Sequence, residues 1–197
     1  MKKFISILSF VFVSNHCFSQ LTAMNEFNNG RTKITKRGME VLAAWGGANL
    51  IYSLASVGAA NGSEKYFHKM NSIWGGVNFS LGAIGYFISN NPNGLSFSQS
   101  LRKQMTIEKI FIFNTGLDVA YITGGFYLKE KANDNSANRI RYKGYGNSVM
   151  LQGFALFIFD GIMYLVHQNH GKQLYKFSDK IKLNIAVNGF GFNAAFK

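Results

Sequence analysis

Residues 146–167 read GNSVMLQGFALFIFDGIMYLVH, and this stretch decides the fold. Its 22 residues carry one charge, Asp160. As a helix it rises about 33 Å, enough to cross the ~30 Å hydrocarbon layer of a bilayer. Three more windows share this character, 39–60, 72–89 and 107–128, and charge collects in the connections. The mean hydropathy near zero averages over this contrast. Glycine lowers hydropathy within the windows without making them soluble-like, because it is common in membrane helices. A soluble all-α bundle would carry longer charged faces than these segments offer. One domain is the simplest reading of 197 residues.

Each window places a short polar or aromatic stripe on one helical face at i, i+4, i+7 spacing. The stripes are Trp45, Asn49 and Tyr52; Trp74 and Asn78, completed by apolar Leu81; Asn114, Asp118 and Tyr121; and Asp160, Tyr164 and His167. Polar groups are costly in hydrocarbon, so the stripes should face one another inside a bundle. Gln152 joins the same set. The small-xxx-small stripes Gly116, Ala120, Gly124 and Ser72, Gly76, Ser80, with Gly153 and Gly161, should let backbones approach closely.

Residues 1–19 read as a secretory signal. Lys2 and Lys3 open it, Phe4 to Val13 is apolar but too short to span, and Cys17-Phe18-Ser19 supports cleavage before Gln20. Cys17 is the lone cysteine, so the mature chain would have no disulfide and no thiolate chemistry. The whole chain carries +12, and cleavage removes two basic residues and no acid, leaving +10. Those charges flank the windows instead of clustering on one soluble face. Contact with lipid head groups therefore fits better than nucleic acid binding.

Outward from the windows, 20–37 is a polar lead with Asn28-Asn29-Gly30 as a turn signal. Asn61-Gly62 should stop the first helix. The short connection 63–71 makes the first two helices antiparallel neighbours. Asn90 to Gly94, which includes the one proline, breaks the second helix, and Ser96 with Gln99 opens an amphipathic lead into the third through a capping box. The polar stretch 129–145 reads as the most mobile connection.

Beyond Gly171, Leu174, Phe177 and Ile181 oppose Lys172, Lys176 and Lys180, as in a short interfacial helix. Asn188-Gly189 is a hairpin signal between 182–187 and 190–196, pairing Val187 with Phe190, Ile185 with Phe192 and Leu183 with Ala194. A faint repeat links Trp45-Gly46-Gly47-Ala48-Asn49 to Trp74-Gly75-Gly76-Val77-Asn78, and Phe111-Ile112-Phe113-Asn114 to Phe157-Ile158-Phe159-Asp160. A cleaved signal and four spans put both termini in the periplasm. The basic residues count 11 against 7 in favour of the opposite orientation. The signal takes precedence, because short basic interfacial segments in the tail inflate that count.

Asp118 and Asp160 are the most informative single residues, each near the centre of a window with no basic partner inside it. With Asn49, Asn78 and Asn114 they could form a proton or cation site, or they could tie the bundle together through Asn, Gln152, Tyr121 and Tyr164. His167 and His170 have a spacing two metal ligands could use, but a third and fourth ligand are missing, so no metal is expected. No zinc-protease, serine-hydrolase or phosphate-loop pattern occurs, and no catalytic residue or cofactor is named.

The segments Lys65-Tyr66-Phe67-His68 with Met70-Asn71, Glu108-Lys109, Asn114 with Gly116-Leu117-Asp118-Val119-Ala120-Tyr121, Gly124-Gly125-Phe126, Leu151-Gln152-Gly153 and Phe159-Asp160 with Tyr164 and His167 resemble an uncharacterised bacterial family. The family comprises small, signal-bearing, four-helix membrane proteins, and the resemblance covers 38–171. It implies the fold and contributes nothing on activity.

The expected architecture is therefore an antiparallel bundle of four transmembrane helices over 38–171, with an interfacial helix and β-hairpin over 172–197. The expected role is a non-enzymatic accessory or small-ligand-binding protein of the bacterial inner membrane. Its candidate binding cluster is Asn49, Asn78, Asn114, Asp118, Tyr121, Gln152, Asp160, Tyr164 and His167. Its expected partners are the lipid bilayer and a second copy or another membrane protein. The alternative is a proton- or cation-linked transporter component that uses Asp118 and Asp160.

Overall fold

A computed structural model describes residues 2–90, 94–134, 137–178, 181–186 and 189–194, with side chains placed over 22–174 of these. Four helices make the body: α1 (Lys2–Ser56), α2 (Gly62–Ile88), α3 (Phe97–Asp134) and α4 (Arg139–Ser178). Short connections make α1–α2 and α3–α4 antiparallel pairs, and α2 against α4 joins the two pairs. The backbones of α2 and α3 stand apart. They touch through Trp74 and Tyr121, whose rings meet edge-on at 4.9 Å. That separation leaves a lateral cleft between the two helices.

Close backbone approach holds the pairs together. A Cβ added at Gly75 would meet the Leu50 amide nitrogen at 2.5 Å and the Gly46 carbonyl at 2.8 Å, and one at Gly46 would meet the Phe79 amide. Gly46 and Gly75 are the equivalent glycines of the Trp-Gly-Gly repeat, so the two copies cross at the same position. In the other pair Gly125 and Gly146 face each other's carbonyls at 2.9 and 2.8 Å. The small-residue stripes expected to do this work mostly face outward. Gly76, Gly116, Gly124 and Gly161 have open space beside them, and of the stripe glycines Gly153 alone packs closely, against Ile122 and the Asp118 carbonyl. Ser72 and Ser80 donate to carbonyls of their own helix. Spacing identifies a stripe, but the direction it faces depends on the neighbouring helices.

The helices extend further than the apolar windows. The polar lead 20–37 is helix and belongs to α1, with no turn at Asn28-Asn29-Gly30. Asn28 is buried and donates to Ser100 Oγ at 2.9 Å, and Arg31 donates to the Ser100 carbonyl at 3.1 Å. Gly30 lies against the His170 ring, where a Cβ would come within 2.7 Å. A tripeptide that reads as a turn is here a packing contact. Asn61-Gly62 starts α2 instead of stopping α1, with Gly62 at φ +57°, a conformation that favours glycine. The stretch 63–71 is therefore helical. The expected mobile stretch 129–145 is largely helical too, with α3 running to Asp134 and α4 starting at Arg139. Ala132 is buried there, and Lys131 lies over the Tyr127 and Tyr142 rings at 5.8 and 5.4 Å. The capping box forms as expected: the Ser96 amide donates to Gln99 Oε1 at 2.9 Å, and the Gln99 amide donates to Ser96 Oγ at 3.3 Å.

The expected separate interfacial helix is the uninterrupted end of α4. Strands β1 (Ile181–Ala186) and β2 (Gly189–Ala194) then pair antiparallel. Ile185 pairs with Phe190, Leu183 with Phe192 and Ile181 with Ala194, a register two residues from the expected one. A two-residue slip preserves the alternation of faces, which is why the side-chain pattern alone does not separate the two registers. Of the four expected spans, α4 over Arg139–Leu174 is, among the described residues, the helix long and apolar enough by composition to cross a membrane.

Substituting Gly75→Ala should cost about 1–3 kcal/mol, because the added methyl meets backbone that cannot yield. Gly76→Ala should be neutral or stabilise by up to about 1 kcal/mol through helix propensity. Thermal melting of the two variants checks the pair, and equal shifts would contradict the α1–α2 contact.

Candidate functional site

The buried positions follow a seam of alternating three and four residues. On α1 they are Leu42, Gly46, Asn49 and Ser53, and on α2 His68, Asn71, Gly75, Asn78 and Gly82. This is the geometry of helices that pack along their length. On α1 and α2 the i, i+4, i+7 stripes start and end one residue off that seam, so their last members face outward. Tyr52 and Leu81 are exposed. Asn71 and Ser53, which sequence reasoning missed, lie on it. The signal available for them was the seven-residue interval from Asn71 to Asn78 and the four-residue interval from Asn49 to Ser53.

Gln152 of α4 is fully buried between α1 and α2 and makes four hydrogen bonds. Its Oε1 accepts from Trp45 Nε1 at 3.0 Å and Asn78 Nδ2 at 3.1 Å. Its Nε2 donates to Asn71 Oδ1 at 2.6 Å and Asn49 Oδ1 at 3.2 Å. Asn71 donates onward to Asn49 Oδ1 and Ser53 Oγ, and Asn49 donates to the Trp45 carbonyl. Two donors and two acceptor sites exhaust the Gln152 amide. A network so completely satisfied holds helices in register and offers little to a ligand.

The acids lie elsewhere. Asp118 of α3 and Asp160 of α4 are buried, their carboxyl groups lie beside each other, and Asn114 lies beside Asp160. Asp118 Oδ2 is buried with no hydrogen-bond partner among the described residues. Both acids line the α2/α3 cleft, a space of about 560 Å³. Its walls are apolar, from Val77, Leu81 and Ile84 on one side and Ile107, Ile110 and Leu117 on the other. Asn78, Asn114 and Tyr121 complete the polar end, with Trp74 beside Tyr121.

The remaining two candidates stand apart from these groups. His167 is fully buried in a polar layer against the middle of α1. Its Nε2 lies 3.4 Å from Thr35 Oγ1, its ring stacks on Phe111, and Gln104 donates to its carbonyl at 2.6 Å. Asn28, Arg31, Ser100 and Gln104 complete that layer, and burial pulls the Arg31 pKa below its ordinary value. None of these four belongs to the polar cluster expected from the sequence, because the lead that carries Asn28 and Arg31 reads as a turn. Tyr164 is half-buried and accepts from exposed Gln168 at 3.2 Å. Eight of the nine candidates thus fall into a satisfied amide hub, an acid pair at the end of a cleft, and a separate end layer, and Tyr164 stands outside all three. Among the described residues no group of three or more His, Cys, Asp or Glu side chains could hold a metal ion.

The hub and the acid pair should respond differently to substitution. Gln152→Leu orphans the buried amides of Asn71 and Asn78 and should destabilise by at least about 2 kcal/mol. Asp118→Asn keeps a hydrogen-bonding partner for Asp160 and should change stability by less than about 1 kcal/mol. Melting curves of both variants in one buffer check the ordering. A larger loss for Asp118→Asn would make the acid pair part of the scaffold.

No curated protein and no solved structure matches this chain. Residues 41–161 match the family of unknown function DUF6992, a span that contains the amide hub, the acid pair and most of the cleft between α2 and α3. The chain is a member of that family.

Proposed function

We propose that this protein is an integral protein of the bacterial inner membrane, made with a cleaved signal, that binds a small ligand in the α2/α3 cleft without catalysing a reaction. The membrane part rests on an inverted distribution of polarity. Phe87, Ile88, Ile51 and Phe113 are 74, 73, 72 and 67% exposed, while Gln152, His167, Ser53 and Ser148 are fully buried. A soluble protein buries the first kind and exposes the second. With Ile158 and Leu165 of α4, each 60% exposed, apolar side chains face outward on every helix and suit hydrocarbon, and polar groups in hydrocarbon seek one another. The polar residues of the hub and acid pair, together with many glycines, also dilute the hydropathy of α1, α2 and α3 below that of α4.

The binding part is carried by one observation: an apolar cleft is lined at one end by two buried acids, Asp118 and Asp160, and Asp118 Oδ2 has no hydrogen-bond partner among the described residues. A pocket of this size takes a small organic molecule, and convergent polar groups at its end fix orientation. The ligand this geometry favours has an apolar body and a hydrogen-bond-donating end, with an ammonium suited best to an acid pair. A second reading, proton- or cation-linked transport, draws support from two buried acids placed side by side at the cleft. In that case liposomes holding the protein and a pH-sensitive dye should show a flux that Asp118→Asn abolishes.

Membrane fractionation of the full chain tests the first part: it should resist carbonate extraction and require detergent. In detergent, decylammonium should bind at least about 10-fold tighter than decanol or decanoate, and Asp118→Asn should remove that preference. Equal binding of the three probes would overturn the ligand assignment and leave the membrane assignment standing.

A further inference from the structure

A second groove lies on another side of the bundle, between α1 and α4, with a space of about 590 Å³. Its floor is Leu42, Leu156 and Met163, all buried, and its rims are Val41, Ile158 and Ile162, all more than half exposed. Arg37 is the one charged residue among those that line it. Arg37 also lines a separate polar pocket of about 330 Å³, shared with Lys33, Lys36, Glu40 and Tyr86. The Lys36 ammonium sits 5.1 Å above the Tyr86 ring centre, which fixes one cation at the pocket. Three cations against one acid leave the pocket positive.

Arg37 lines both spaces, so a positive pocket adjoins one end of an apolar groove. Along α1 the groove runs from Ile34 to Trp45, about 16 Å of helix. That length is close to half of a ~30 Å hydrocarbon layer, the depth of one leaflet. Arg37 falls just outside the apolar window that begins at residue 39, at the level where head groups lie. Charge, length and position are those of one lipid molecule lying against the protein.

We infer that the Lys33–Lys36–Arg37 pocket and the α1/α4 groove form one site for an anionic phospholipid, its phosphate at the three cations and an acyl chain along Val41, Leu42, Ile158 and Ile162. The inference rests on the membrane reading above and is independent of the α2/α3 cleft. Basic pockets between helices that hold anionic head groups follow from the same electrostatics. Glu40 on the rim disfavours a doubly charged phosphate and suits a singly charged phosphodiester. The open rims let the chain enter sideways from the bilayer.

The test uses the full chain in detergent with short-chain dioctanoyl phosphatidylglycerol and dioctanoyl phosphatidylcholine, which are usable whether or not the chain needs a membrane. Binding is read by native mass spectrometry and by the lipid-induced shift in melting temperature. Phosphatidylglycerol should bind about 10-fold tighter or more than phosphatidylcholine. The double variant Lys33→Gln with Arg37→Gln should bind the two lipids equally. Ile162→Trp, which fills the groove at an exposed rim, should weaken both lipids without lowering the melting temperature measured in detergent alone. If Ile162→Trp perturbs folding, Val41→Trp on the facing rim serves the same purpose. Equal affinity of the native chain for both lipids overturns the inference, as does inorganic phosphate binding as tightly as phosphatidylglycerol. Dimerisation lost on Ile162→Trp, with no lipid preference, would overturn it in favour of a second copy of the chain. A chain that stays in the aqueous phase defeats the membrane reading, whereas lipid selectivity lost with the membrane reading intact defeats this inference alone.

Discussion

The Gln152 side chain holds three helices to one another. A primary amide has two donors and two acceptor sites, and each is used by a residue of α1 or α2. Because the amide is fully buried, no water competes for those bonds. Losing one partner leaves a polar group in apolar surroundings, which costs far more than the bond contributes when satisfied. This asymmetry keeps Trp45, Asn49, Asn71 and Asn78 in register. It also seats α4 against the α1–α2 pair, the principal connection between the halves of the bundle.

Close glycine contacts make that hub reachable. An asparagine side chain is short, and Asn49, Asn71 and Asn78 can all meet one glutamine only if α1 and α2 run nearly backbone to backbone. Gly46 and Gly75 permit this approach. The Trp-Gly-Gly repeat therefore has a physical reading: each copy supplies a contact glycine and an asparagine three residues on, and both asparagines bond Gln152. The tryptophans diverge. Trp45 donates to the hub, while Trp74 turns towards Tyr121 across the cleft. In the second repeat, the aligned residues Asn114 and Asp160 meet directly. Pairwise similarity in sequence corresponds to pairwise contact in space.

Satisfaction of hydrogen bonds separates scaffold from site. The hub exhausts its central amide, whereas the acid pair leaves Asp118 Oδ2 without a partner among the described residues, beside an open cleft. Both centres look alike on a helical wheel, as polar residues on an inward face. What distinguishes them is whether a neighbouring helix closes over the group. At the hub α1, α2 and α4 close, and at the acid pair α2 and α3 stand apart.

The number of helices, their antiparallel order within each pair, and the inward direction of Asp118, Asp160, Asn78 and Gln152 were all legible in the chain before it folds. Hydrophobic windows and polar stripes depend on spacing along one helix, and spacing is written in the residues. The Ser96–Gln99 cap was legible for the same reason, since both of its bonds are local. Where the helices end is a matter of packing: Asn28-Asn29-Gly30 is helical with Ser100 and His170 lying against it. Packing also selects which glycines touch, since Gly75 and Gly76 are equivalent until α1 arrives on one side. The same process divided one apparent polar cluster into three groups and left Tyr164 outside them. Side chains on different helices share a site only if the distances between helices allow it, and those distances come from tertiary contacts, not from periodicity.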